Sequence, residues 1–268
     1  KESLVMAGSL MMAEAKRSGA LLLPIDSEHN AMFQCLPDHY RTGESIPGLK
    51  QLLLTCSGGP FRTWSARKMA KATVREACAH PTWSMGRKIS VDSATLMNKG
   101  LELIEASHLF QVPESVIDVV IHPESTVHSM VEFTDGSILA QLGSPDMRIP
   151  IAHALGFPER LSIDVERLSL SRLASLNFEA VDHARFPALG LARAACDAGD
   201  DRAIVLNAAN EVAVSAFLEG RLSFAKIIAL VSECLNRMPQ QPISSLEDVL
   251  AIDARCRRSA LDWMQEHL

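Results

Sequence analysis

The chain has 268 residues, 47% of them hydrophobic, and a formal net charge of -6. That length supports an ample buried core in one large domain or two smaller ones. The acidic balance argues against nucleic acid or an anionic membrane as partner, and no apolar run approaches a membrane span. Cys35, Cys56, Cys78, Cys196, Cys234 and Cys256 are scattered, with no CxxC pair, which points to a reducing, cytoplasm-like compartment. The glycines contain no GxGxxG, so no dinucleotide fingerprint is present.

The chain opens at Lys1 without an initiator methionine, a signal peptide or a transit segment, so part of the amino-terminal sequence is expected to be missing. Leu4 to Ser18 carries apolar residues at helical spacing, with Gly19 as the C-cap. Ala20 to Ile25 reads as a buried strand, and the pair resembles the end of an α/β domain already under way. The strand runs into Asp26-Ser27-Glu28-His29-Asn30. On extended backbone Asp26 and Glu28 lean to the same side, and neighbouring carboxylates repel unless a hard divalent cation lies between them. The bland alternative is an Asp/Ser helix cap, with Glu28 and His29 on a solvated first turn.

His29 to Leu36 reads as a short helix stopped by Pro37, and Gln51 to Thr55 as an apolar strand. The strand ends in Cys56-Ser57-Gly58-Gly59-Pro60, a turn whose backbone N–H groups and hydroxyl can converge on an anion; an ordinary tight turn fits as well. Phe61 to Arg87 is aromatic, basic and aperiodic, as lids over sites often are, and Trp83 and Met85 fit either a closing lid or a core. Ile89 to Asp92 reads as a short strand, with Ser93 capping a helix that runs to about Phe110. On that helix Asn98, Lys99 and Glu102 share one face at i,i+3 and i,i+4 spacing, either as an anion and cation site or as a solvated Lys–Glu pair.

Val116 to Ile121 is predicted as a strand. Ser125 to Phe133 and Ser137 to Leu142 are predicted as an antiparallel hairpin about Asp135-Gly136, with His128 either facing a site or structural. A flat hairpin of this kind is also a natural dimer surface. A helix begins near Ile149, and residues 156–182 read as a linker. Beyond it lie four amphipathic helices, Pro187 to Ala198, Asp201 to Leu218, Phe224 to Met238 and Leu246 to Leu268. Ser244 and Glu247 suggest a capping box before the last. The expected fold is therefore an α/β domain with a mixed or antiparallel sheet, followed by an all-α four-helix bundle in a supporting role.

Long motifs follow one another in order. They are Lys1-Glu2-Ser3-Leu4-Val5, Pro24 to Asn30, Ser57-Gly58-Gly59-Pro60-Phe61-Arg62, His80-Pro81-Thr82-Trp83-Ser84-Met85-Gly86 through Thr95, Met97-Asn98-Lys99-Gly100-Leu101-Glu102, Ile121 to Ser125, His128 to Val131, and Leu142 to Arg148. Leu206-Asn207-Ala208-Ala209-Asn210-Glu211 completes the set. Over essentially its whole length the chain resembles the 1-deoxy-D-xylulose 5-phosphate reductoisomerase family. The resemblance implies rearrangement of a sugar phosphate and its NADPH-dependent reduction to 2-C-methyl-D-erythritol 4-phosphate, in the non-mevalonate isoprenoid route. It also implies a homodimer.

By the same resemblance, Asp26, Glu28 and Glu102 would ligate Mg²⁺ or Mn²⁺, with Co²⁺ as an alternative. Lys1, Ser27 and Glu28 would meet the substrate backbone, while Ser57, His80, Ser93, Asn98 and Lys99 would hold its phosphate end. Glu2, Met85 and Gly86 would lie near the nicotinamide nucleotide, and Trp83 would belong to the lid. The implied domains are a cofactor-domain remnant (1–25), a catalytic domain (26–155, lid about 57–87), the linker (156–182) and the bundle (183–268). With the Rossmann-type domain largely absent, such a chain alone is expected to bind NADPH poorly. A bacterial cytoplasm or a plastid stroma would suit the family. Two other readings are a metal-dependent phosphosugar isomerase or aldolase without reduction, and a non-catalytic oligomerisation module.

Overall fold

The computed structural model describes residues 1–83 and 85–267; Ser84, within the expected lid, and Leu268, the expected end of the last helix, lie outside the described residues. The chain forms two compact units. One comprises Lys1–Glu14, Gly58–Glu105 and Asp182–Leu268, and the other Ala15–Ser57 and Ala106–Val181.

The second unit is built on a five-stranded sheet. Its strands are β1 (Leu49–Cys56), β2 (Ile117–Ile121), β3 (Val127–Phe133), β4 (Ile138–Leu142) and β5 (Glu179–Ala180), in the order β4-β3-β1-β2-β5. Only β1 and β2 pair in parallel, with Leu52 opposite Ile117 and Cys56 opposite Ile121. The remaining pairs are antiparallel. Central β1 is buried over Leu52 to Thr55, as expected for an apolar strand flanked on both sides. The short strand β5 comes from the segment expected to be only a linker, where it extends the sheet beyond β2.

Helices α1 (Glu2–Ser18) and α2 (Ser27–Gln34) precede β1. Gly19, at φ +72°, ends α1, and the Ala20 amide donates to the Ala15 carbonyl, as a left-handed C-cap requires. The residues Ala20–Ile25, expected to form a buried strand, pair with no strand, and Leu21 and Ile25 are exposed. The run is extended coil, because apolar content alone does not supply a neighbouring ladder. Helix α2 packs on β3 and β4. Phe33 brings the rings of Tyr40, His153 and Phe157 together on its far side. His153 lies on α7 (Arg148–Gly156), and the Asn30 amide meets its Nδ1 at 3.1 Å.

The first unit holds α3 (Ala66–Met69), α4 (Val74–Ala77), α5 (Arg87–Thr95) and a bundle of α8 (Ala188–Ala198), α9 (Asp200–Leu218), α10 (Phe224–Arg237) and α11 (Leu246–His267). Helix α6 (Met97–Phe110) contributes residues to both units. Helix α9 is the bundle's axis, and every residue from Asp201 to Asn210 is buried. The box at the start of α11 is formed by Ser245 and Asp248 rather than Ser244 and Glu247. The Ser245 hydroxyl accepts from the Asp248 amide, and the Asp248 carboxylate accepts from the Ser245 amide. The root of the expected lid is also core. Phe61 is fully buried against Trp64 and Phe224, and Arg185 donates to the carbonyls of Arg62 and Trp64 at 3.0 and 2.7 Å.

Residues Ile89–Asp92, expected as a strand, lie inside α5, and Ser93 belongs to that helix's last turn instead of capping the next. The two β-branched residues misled the local reading, because packing of α5 on α9 decides the conformation. The break between α5 and α6 falls at Leu96, which adopts φ +60°.

Helix α6 approaches α8 through Gly100, where an added Cβ would lie 2.5 Å from the Ala192 Cβ. Gly100→Val is therefore expected to destabilise the fold by about 1–3 kcal/mol through overpacking, read as a lower urea midpoint at unchanged m-value. An unchanged midpoint would mean that the two helices do not depend on this approach.

Candidate active site

In the first unit the site residues gather around one carboxylate. Glu102 is only 1% exposed, and a carboxylate so buried must be neutralised and hydrogen-bonded to persist. Lys1 Nζ donates to Glu102 Oε1 at 2.7 Å and to Asn98 Oδ1 at 2.8 Å. Asn98 Nδ2 donates to the same Oε1 at 2.5 Å, and Lys99 Nζ donates to Oε2. Helical spacing explains why two of these partners meet the acid, since Asn98 and Lys99 lie four and three residues before Glu102 on α6. Lys99 is itself buried, so this is no solvated Lys–Glu pair. Lys1 and Lys99 thus meet different oxygens of one buried acid, and Glu102 is held by charge-assisted hydrogen bonds on both.

Ser93 lies beside this cluster in sequence, and its carbonyl is approached by the glycine turn. Gly59 adopts φ +68°, and a Cβ there would sit 2.5 Å from Ser93 O and 3.3 Å from its hydroxyl. No side chain fits that approach, which brings the Gly59 backbone directly onto Ser93.

Glu2 and Gly86 flank a second polar group in the same unit. Gly86 is the N-cap of α5, and its carbonyl accepts from Ser90. Glu2 Oε1 accepts from Lys88 Nζ at 2.8 Å. Burial tends to raise the Glu2 pKa, but the Lys88 partner outweighs it and holds the carboxyl below its ordinary value. Lys88 and Asp92 have no role in the sequence reading, although their i,i+4 spacing is the signal that brings them together. They form an ion pair at 3.0 Å.

Of the lid residues, Trp83 and Met85 are half-buried, neither core nor fully exposed. His80 Nδ1 accepts the backbone N–H groups of Thr82 and Trp83 at 3.2 and 2.9 Å, tying off the turn that carries Trp83. Burial lowers the His80 pKa, as this acceptor role requires.

In the second unit Asp26 holds the N-cap position of α2, but its side chain makes no capping hydrogen bond. Glu28 follows in the first turn, where its Oε2 accepts from the Ser27 hydroxyl at 2.7 Å. The two carboxylates are thus presented at a helix start, where the dipole favours negative charge, and not on a strand. His29 is fully buried rather than solvated, with Nδ1 3.9 Å from the Asp26 carboxylate. Ser57 is buried at the end of β1. His128 is structural: it is buried, and its Nε2 lies 3.1 Å from the Gly143 carbonyl. The donors offered by Asp26, Glu28 and Glu102 are all carboxylate oxygens, the set that hard divalent ions prefer.

Comparison with known proteins gives this arrangement a family. Residues 22–110 match the sequence profile of the 1-deoxy-D-xylulose 5-phosphate reductoisomerase C-terminal domain, and residues 142–259 that of the DXP reductoisomerase C-terminal domain. The 1-deoxy-D-xylulose 5-phosphate reductoisomerase of Pseudomonas putida strain W619 is 55% identical over 267 residues, covering 100% of this chain and 67% of that protein. This chain belongs to the 1-deoxy-D-xylulose 5-phosphate reductoisomerase family. The reductoisomerase of Stutzerimonas stutzeri strain A1501 is likewise 55% identical, over 98% of this chain and 67% of its own length.

Among solved reductoisomerase structures, that from Zymomonas mobilis in complex with NADPH superposes with a TM-score of 0.89 at 49% identity, covering 98% of this chain and 66% of its own. A DOX-P reductoisomerase in complex with NADPH, fosmidomycin and magnesium gives a TM-score of 0.93 at 48% identity, covering 98% and 68%. The chain spans about two thirds of the length of these reductoisomerases.

The His80 turn carries a pH signature. With its pKa depressed in the folded chain, neutral His80 stabilises the turn above the ordinary histidine range. That contribution disappears as pH falls through the lowered value. A titration of the His80 ring by NMR should give a midpoint below about 6.5, with Trp83 fluorescence changing over the same range. An ordinary or raised midpoint would contradict the acceptor role.

Proposed function

We propose that this chain supplies the metal- and sugar-phosphate-binding part of a 1-deoxy-D-xylulose 5-phosphate reductoisomerase. Such an enzyme isomerises its substrate and reduces the product with NADPH to 2-C-methyl-D-erythritol 4-phosphate. The observation that carries the reading is the buried Glu102 carboxylate enclosed by Lys1, Asn98 and Lys99. Lys1 and Lys99 bring ammonium donors to that point, and an anionic group of the substrate would meet them there.

Asp26, Glu28 and Glu102 would hold Mg²⁺ or Mn²⁺, and their all-oxygen donor set suits either ion. When bound, the ion would polarise substrate oxygens as a Lewis acid. Lys1, next to Glu102, would hydrogen-bond the substrate backbone and stabilise negative charge as it develops there. Ser27 and Glu28, joined by their hydrogen bond, would orient the same part of the substrate. Ser57, Ser93, Asn98, Lys99 and His80 would anchor the phosphate end. That anchor lies away from the reacting carbons, so its binding energy can drive orientation and exclusion of water. With Nδ1 accepting from two backbone amides, His80 presents its remaining ring N–H as a donor. Glu2, Met85 and Gly86 would border the nicotinamide, and Trp83 would close over the substrate.

The testing experiment is calorimetric titration of Mn²⁺ into the protein expressed from its complete reading frame, beside turnover. Glu102→Gln and Asp26→Asn are each expected to weaken ion binding by at least tenfold and to lower kcat/KM by a factor of about 10²–10⁴. Unchanged ion affinity in both variants would overturn the metal assignment. Turnover without nicotinamide oxidation would favour an isomerase that does not reduce.

The association surface we infer is the outer edge of β4. It ends the sheet order, and it leaves Ile138 and Leu139 about half exposed. A flat apolar edge of this kind invites pairing with a second copy, in keeping with a homodimer. Sedimentation should find a dimer, and Ile138→Lys should shift it toward monomer. A monomer in the unmutated protein would exclude this surface.

A further inference from the structure

A chain of polar contacts runs through the first unit behind the Glu102 cluster. Asp92 on α5 is only 1% exposed, and its two oxygens are engaged on opposite sides. Asn210, buried at the centre of α9, donates Nδ2 to Asp92 Oδ1 at 2.8 Å. Lys88, one turn before Asp92, places Nζ 3.0 Å from Oδ2 and 2.8 Å from Glu2 Oε1. Three elements are thereby tied in series, with Asn210 on the bundle, Asp92 and Lys88 on α5, and Glu2 on the first turn of α1.

That first turn needs such a tie. Helix α1 is interrupted at Ala7, which adopts the non-helical angles φ −134°, ψ 29°. The piece before the break is far too short to hold itself as an isolated helix. It nevertheless carries Lys1, whose ammonium must reach Glu102 and Asn98, and Glu2 beside it. Val5, fully buried, anchors its apolar side, and the Val5 amide donates to the Lys1 carbonyl at 3.1 Å. On the polar side Glu2 is tied to Lys88. Lys88 is in turn fixed by a carboxylate that cannot move without losing Asn210. Burying Asp92 is costly, and its pKa is driven up by desolvation against the opposing pull of Lys88 and Asn210. A surface salt bridge between Lys88 and Glu2 alone would be weak and mobile. Anchored on a buried acid, the same lysine becomes a fixed point.

We propose that Asn210, Asp92 and Lys88 form a positioning relay by which the helical bundle sets the first turn of α1, and with it the place of Lys1 against Glu102. The relay residues themselves touch no substrate. The inference deepens the reductoisomerase reading and rests on it for the consequence in turnover, but its structural claim can be read separately.

The test uses Lys88→Gln, Asp92→Asn and the conservative Lys88→Arg in the protein expressed from its complete reading frame. In Lys88→Gln and Asp92→Asn, hydrogen exchange at the Val5 and Met6 amides should quicken about tenfold or more while α9 amides keep their protection. kcat should fall about tenfold in protein that still unfolds in a single cooperative transition. Lys88→Arg should restore most of both. If Asp92→Asn fails to fold, the half-exposed Lys88 still gives the answer. Unaltered exchange at Val5 and Met6, or faster exchange spread evenly over α5 and α9, would overturn the relay. Absence of turnover in the unmutated protein would sink the proposed function instead, and the exchange result would still decide the relay.

Discussion

The buried carboxylate of Glu102 sets the terms for much of this chain. An ionised carboxylate at 1% exposure loses its water, which without partners is unfavourable by several kcal/mol. Ionised, it needs donors on every side, and the chain provides them by two routes of different range. Asn98 and Lys99 are local, delivered by the pitch of α6. Lys1 is distant in sequence and must be brought to the same point by tertiary structure. The local donors come with the helix, so the positioning burden falls on α1.

That division explains what was legible in the sequence. The shared face of Asn98, Lys99 and Glu102 follows from helical spacing alone, and most helices and strands follow from hydrophobic period and turn residues. Burial of the face did not follow, because spacing cannot distinguish a solvated Lys–Glu pair from an enclosed one. Ile89 and Val91 read as a strand because β-branched side chains favour extended backbone. They are helical because α5 packs along α9, a neighbour more than a hundred residues away. Ala20–Ile25 failed in the opposite direction: it has a strand's composition but no strand beside it. The pair of residues in β5 is too short for any periodicity, and only its pairing with β2 defines it.

The bundle's contribution was the least legible part. With no cluster of inward acids in their sequence, four amphipathic helices read as support. In the fold, α9 is buried on all sides from Asp201 to Asn210, so the polar residues of that stretch are as enclosed as its apolar ones. Asn207 and Asn210 lie one turn apart at 0% exposure. A buried amide in a helix of alanine, valine and leucine is unfavourable for stability by about 1–3 kcal/mol unless it is paired. Asn210 is paired with an acid on α5, so the hydrogen bond also fixes how α5 sits along α9. Apolar packing alone tolerates sliding by a fraction of a turn. A directional bond between two buried groups does not.

The same contrast between tolerant and directional contact explains where glycine is required. At Gly59 the backbone comes onto the Ser93 carbonyl, and at Gly100 helix α6 comes onto Ala192, so each residue marks a distance set by main chain or by a methyl group. One approach fixes the turn against the end of α5, and the other fixes α6 against the bundle. Leu96, in its left-handed conformation, lies between the two. Its angles are held because both flanking helices are clamped, not because leucine prefers them. Glu102 and its two helical donors, Asn98 and Lys99, therefore inherit their geometry from contacts that carry no charge. The chemistry is local to α6 and Lys1, while the precision comes from the bundle and from backbone approaches that only glycine permits.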